Sequence, residues 1–409
     1  EGRDVLDLHA PFRRREDADS LGPAIEHEPD VQLPRDRDRG LDTLLPQVEI
    51  SNQTVAASAA AYEEARAVIR EAQATLFPTA TAAYGVTRTR TGALAGTTGG
   101  SAVGTGLRTR YTTQYNAPIS GAWDIDVWGR IRRQIESNTA AAQASAADLD
   151  NAKLSAQAQL ATAYFNLRAA DSLRALLDRA VVQFKETLRV TRNKVNAGCC
   201  SGPGLAAVSP ADLALASAQV ENAEAQAINV GVERAQFEHA IAMLIGRPPG
   251  ELTVAPRGLS GGIPKTPVMV PSALLERRPD IAASERTMQQ ENALIGVAEA
   301  AYFPDISLSS MIEYLGPIPL PFSAARSIAS IGATGTQTLF NGGLTSAQVD
   351  AARAVYWQSV ANYRQSVLTA FQQVEDELAA IRILSRQLGV EQAAVRDARE
   401  AVRVYSNQY

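Results

Sequence analysis

The sequence predicts a mixed fold: long coiled-coil α-helices joined to transmembrane-type β-strands, in a helix–strand–strand–helix unit that occurs twice. Three observations carry it. From Leu107 to Val127 apolar and polar residues alternate, with Tyr111, Tyr115, Ile119 and Trp123 in one phase and Arg110, Gln114, Ser120 and Asp124 in the other. A period of two is that of a strand with one apolar and one polar face. From Ala156 through Leu160, Ala163, Leu167 and Ala170 to Val195 the apolar residues step by four and three, a heptad seam interrupted by Arg174. Finally, Glu186-Thr-Leu-Arg-Val190 returns as Glu400-Ala-Val-Arg-Val404, 214 residues on, and Phe77-Pro78 as Phe303-Pro304. Such self-similarity marks an internal duplication.

Taken in order, residues 1–40 form a charged, poorly ordered tail without apolar periodicity. The first repeat is expected over 41–246. It holds a helix from Leu41 to Leu76, strands at about 79–90 and 107–127, and a helical hairpin over 130–245 whose return arm carries Arg234 in its own seam. The outgoing arm alone would be about 100 Å long. A linker rich in Pro and Gly, 247–271, leads to the second repeat at 272–409: a helix ending at Phe303-Pro304, strands at about 305–314 and 328–340, and another long helix. Arg174 and Arg234 either line a tunnel or set register.

Four such strands cannot close a barrel, and lipid leaves an open sheet edge unsatisfied at several kcal/mol per group. Self-association solves this, and cyclic symmetry gives each copy the same surroundings. Three copies would make a twelve-stranded trimeric barrel with a watery lumen, continued by an α-helical tunnel. On this reading Arg88, Arg90, Arg108, Arg110, Gln114, Asp124 and Asp126 are lumen candidates, or a solvated face near the rim. Tyr111, Tyr115, Trp123 and Trp128 are candidates for an interfacial aromatic girdle, with ordinary packing at the barrel–helix junction as the other reading of Trp123 and Trp128.

Composition narrows the function classes. The net charge of −5 offers no basic face to nucleic acid. No apolar run reaches the roughly eighteen residues of a helical membrane span. The histidines, His9, His27 and His239, show no metal-ligand spacing, and neither a phosphate-binding loop nor a nucleophile motif is present, so no enzyme activity and no cofactor are expected. The adjacent Cys199 and Cys200 read as incidental thiols.

The segments Leu274-Leu-Glu-Arg-Arg-Pro-Asp-Ile281, Asn292-Ala293, Ala300-Ala-Tyr-Phe-Pro304, Trp123-Asp-Ile-Asp-Val-Trp-Gly-Arg130 and Leu339-Phe-Asn-Gly-Gly343 carry a family resemblance over about 41–409. The chain resembles the TolC-like outer membrane factors, in particular the NodT-type efflux lipoprotein branch. That resemblance implies a homotrimer in the Gram-negative outer membrane reaching into the periplasm. A periplasmic adaptor and an inner-membrane RND pump are the implied partners, and small molecules the implied cargo. Its signature residues here are Arg277, Arg278, Pro279, Asp280, Phe303 and Pro304. The adaptor-docking hairpin tip would be Gly198, Ser201 and Asp212, with an insertion displacing Asp212. The family's lipid-bearing Cys has no match, and its gate-bearing second tip would fall beyond Tyr409. Residues alone leave type I protein secretion, or a non-channel periplasmic coiled-coil role, beside efflux. For Arg277, Arg278 and Asp280 the plainer role is to cap and pin a helix start at Pro279.

Overall fold

The structure, a computed structural model, describes residues 38–93, 108–196, 209–259, 277–317 and 327–406. The charged tail, the tip residues Gly198 and Ser201, the two cysteines and the start of the second repeat lie outside the described residues.

The expected first helix is two helices, α1 (Arg39–Ser51) and α2 (Gln53–Ala74). Apolar periodicity runs through the break, but Asn52 leaves the helical region and caps α2. Its side-chain oxygen accepts from the Thr54 and Val55 amides, and its Nδ2 donates to the Leu244 carbonyl at 2.8 Å. A buried amide that satisfies both helix ends outweighs one more turn of continuous helix.

Strands β1 (Thr79–Ala82) and β2 (Gly85–Ala93) both pair with the 17-residue β3 (Arg108–Asp124) in one unbroken register. They are one strand, interrupted where Ala83 donates to the Pro118 carbonyl. Proline has no N–H to return the bond, so the ladder lapses there. The second repeat supplies β4 (Asp305–Gly316) and β5 (Ser327–Thr336), giving an antiparallel sheet ordered β1/β2–β3–β4–β5. β3 and β5 stop short of the expected Val127 and Phe340, because the residues after Asp124 turn into the next helix.

That helix, α3 (Arg130–Asn196), has 67 residues, and α4 (Pro210–Leu244) returns beside it. Lys185 meets Glu224 and Arg234 meets Asp171, so the arms are antiparallel. The seam residues Leu160 and Leu167, with Tyr164 beside them, are fully buried against Val48, Ile241 and Ile245. In the second repeat α5 (Pro279–Ala300) packs on α3 and on the 63-residue α6 (Leu344–Ser406). No described helix is long and apolar enough to cross a membrane. The strands pack on one another, and no described helix lies across the sheet. Most of its apolar face is therefore exposed, as Ile331 (89% exposed) illustrates, while Tyr314 at one end of that face is buried.

Candidate functional site: a two-faced sheet and its collar

Register assigns the two faces, because residues paired across an antiparallel ladder share a side. Ile119 pairs with Ile312 and Ala82, Trp123 with Leu308, Tyr115 with Val86, and Ile312 with Ala329. These lie on one face. Gln114 pairs with Thr87, Ser120 with Thr81 and Met311, and Asp124 with Ser307, on the other. The apolar stripes of all strands thus merge into one surface, with a shallow groove along Ile119, Ile312, Ala329 and Ile331. Exposed apolar area of this extent marks a membrane or partner surface.

Two lumen candidates are corrected by this register. Arg88 pairs with Thr113 and Arg90 with Tyr111. Both belong to the apolar face, not to that of Gln114. The Arg88 guanidinium lies 5.1 Å from the Tyr111 ring centroid, a cation–π contact. A third correction is Asp126. Its side chain is only 8% exposed and accepts from the backbone amides of Ile131 and Arg132 and from the Arg132 guanidinium, so it caps α3 instead of facing a lumen. Burial opposes its charge, but those hydrogen bonds outweigh burial and hold its carboxyl below the ordinary value. Gln114 and Asp124 keep the polar face and are exposed. Arg108 and Arg110 stand opposite Ala93 and Thr91 in the register, and their side chains lie outside the described residues.

Of the girdle candidates, Tyr111, Tyr115 and Trp123 lie on the apolar face. Trp128 does not lie on a strand at all. It stacks on Phe303 with centroids 4.7 Å apart, and its Nε1 donates to the Pro304 carbonyl at 2.8 Å. Trp123 likewise donates to Leu76 O, just before Phe77-Pro78, and Gln337 donates to Tyr302 O. Each helix-to-strand corner is therefore tied down by a side chain at or just past the C-terminal end of a neighbouring strand. The resulting collar lines a polar cavity of about 170 Å³ that includes Asp124, Asp126, Arg130 and Asp305. The two indoles flanking Asp124-Ile-Asp-Val127 are the sequence signal for it, and of their two readings Trp128 takes the packing at the barrel–helix junction.

The signature residues do structural work. Pro279 occupies the first turn of α5, and Arg278 makes a two-pronged pair with Asp280 (3.1 and 2.7 Å) while reaching Gln373 on α6. That pair holds the Asp280 carboxyl below its usual range. Asp212 forms a capping box with Ser209 at the start of α4. The seam arginines also resolve: Arg174 pairs with Asp178 in solvent, whereas Arg234 grips Asp171, Glu238 and the Val254 carbonyl. Arg168 completes that knot, binding Asp171 and the Ala255 carbonyl. Sequence reading missed the knot, because Asp171 lies between seam positions. Among the described residues no three His, Cys, Asp or Glu side chains group as a metal site.

Comparison with known proteins places this geometry. The family model "Outer membrane efflux protein" matches residues 44–247 and 270–409. The probable efflux pump outer membrane protein TtgC of Pseudomonas putida is 28% identical, over 91% of this chain and 74% of that protein. Nodulation protein T of Rhizobium leguminosarum bv. trifolii is 29% identical over 71% of this chain and 61% of its own length. The solved outer-membrane channel OprN superimposes with a TM-score of 0.71 at 28% identity, over 84% of this chain and 74% of that one.

Proposed function

The chain belongs to the outer membrane efflux protein family, and from that membership we propose that three copies close one barrel and form the passive outward conduit of a tripartite pump. The chain is an outer-membrane efflux component extending into the periplasm. The finer reading rests on one observation: a sheet with a largely exposed apolar face and, among the described residues, two unpaired rims, β1/β2 and β5.

The duplication supplies the missing joint. Superimposing the repeats carries Thr79 onto Asp305 and Ala122 onto Thr336, and the Thr79–Ala122 pair does become the Asp305–Thr336 pair. The same superposition turns the β3–β4 joint into a joint between β5 and β1/β2 of the next copy. Ile119–Ile312 becomes Ala333 against Val86, and Ala117–Tyr314 becomes Ile331 against Arg88. Apolar face then continues apolar face around the ring, which a slip of one residue would destroy. Gln114 and Asp124 line the lumen, and Tyr111 and Trp123 bracket the lipid-facing band. Along β3 those two rings are about 40 Å apart, or about 30 Å vertically at a barrel's usual tilt, close to a hydrocarbon core. The conduit makes and breaks no bonds. An adaptor and an inner-membrane pump supply direction and energy, the adaptor meeting the tip around Gly198, Ser201 and Asp212, and small molecules are the cargo.

The test is thiol cross-linking of V86C with A333C, with Cys199 and Cys200 changed to Ser. A ladder ending at trimer, together with single-channel conductance in planar bilayers, is expected. Monomer alone, or a ladder ending at dimer, overturns the proposal.

A further inference from the structure

We infer that Arg88 and Arg90 form a site for the phosphate of a lipid headgroup in the leaflet distal to the helices; this rests on the barrel reading above. They are the only charged residues on the described apolar face. That face otherwise carries Ala80, Ala82, Tyr84 and Val86 beside β3's Tyr111 to Trp123, β4's Ile306 to Tyr314 and β5's Ser327 to Gly335, all uncharged in the same phase. Both arginines are exposed, and no described carboxylate is ion-paired to either. The neighbouring copy does not neutralise them. By the repeat superposition it brings Ala329 and Ile331, neither of them charged.

Their depth excludes an accident of the surface. Arg88 pairs with Thr113 and Arg90 with Tyr111, ten and twelve residues along β3 from Trp123. At about 3.3 Å per residue and a usual tilt, this lifts them about 25–30 Å above the Trp123 ring. That is the opposite boundary of the hydrocarbon layer, the one depth at which a lipid-facing charge is tolerated. Two guanidiniums on alternate residues of one strand sit about 7 Å apart at the backbone, within reach of a single phosphate group. A guanidinium fork matches phosphate oxygens two at a time. Tyr111 orients the Arg88 stem against the wall at 5.1 Å, leaving its outer N–H groups to the headgroup layer. A trimer carries the pair three times around its rim.

The experiment is native mass spectrometry of the full chain purified in detergent and offered lipid A with both phosphates, or the same lipid dephosphorylated. The unaltered trimer should retain the phosphorylated lipid at least tenfold better. R88Q/R90Q should fall to the dephosphorylated level at unchanged trimer mass, and R88K/R90K should recover part of the difference. Equal retention of the two lipids, or undiminished retention by R88Q/R90Q, overturns the site. Displacement of lipid by millimolar inorganic phosphate assigns the arginines to free anion and overturns the lipid assignment. If R88Q/R90Q does not assemble, discrimination by the unaltered chain decides. An unaltered chain that forms no trimer removes the barrel reading first, and the site with it.

Discussion

The two repeats place the same residue type at matching positions and put it to different use. Arg168 in α3 corresponds to Arg382 in α6. The first is buried, tied to Asp171 and to the linker carbonyl of Ala255. In the second repeat, where Asp171 should be there is Ser385, whose hydroxyl donates to the Arg382 carbonyl. The helix starts diverge in the same way. Asn52 caps α2 with a neutral amide, and its counterpart Arg278 begins α5 with an ion pair to Asp280. Duplication kept the backbone plan while side chains at matching positions changed partners: Arg168 ties α3 to the linker after α4, and Arg278 ties the start of α5 to α6.

The contrast breaks most sharply at Asp171. Asp171→Ala leaves the buried Arg168 guanidinium without its carboxylate and strips one of the two carboxylates from the partly exposed Arg234, and should cost about 3 kcal/mol, whereas Ser385→Ala should stay within about 0.5 kcal/mol. Paired thermal unfolding curves in detergent check this, and equal shifts would erase the distinction. Next comes Asn52→Ala, which strips a cap and orphans the buried Leu244 carbonyl, for about 2 kcal/mol. Its penalty should be the same at pH 4 and pH 8, since nothing it removes titrates in that interval.

The smallest effect is the sharpest discriminator. Asp280 has a folded-state pKa below its unfolded value because Arg278 hydrogen-bonds and attracts the carboxylate. Its stabilisation is therefore complete above the ordinary carboxylate range and fades as pH falls through the lowered value. The pair is about one-third exposed, so the contribution is below about 1 kcal/mol. Asp280→Asn should abolish that acid-side slope and leave Asn52's cap untouched. Denaturant midpoints across pH 2.5–7 would show it, and an unchanged slope would assign the acid sensitivity elsewhere.

The duplication, the polar and apolar phases of β3 and β4, and the heptad seam were legible because each depends on periodicity over many residues. Arg88 and Arg90 were misplaced for a physical reason. In β2 the alternation sets arginine against threonine, both polar, so the pattern names no face until the pairing of Val86 with Tyr115 decides it. Asp126 continued β3's alternation in sequence, but the strand had already ended and α3's free amides claimed its carboxylate. Asn52 and Asp171 escaped notice because their partners, Leu244 and Arg234, are remote in sequence.

The sheet over which no helix folds has a kinetic corollary. In the proposed trimer a lone subunit would hold a ribbon neither sheltered in water nor sealed in lipid, so its final strand pairing would be an encounter between molecules. Maturation of that trimer would then scale with how often copies meet at a bilayer, and dilution would become a form of arrest.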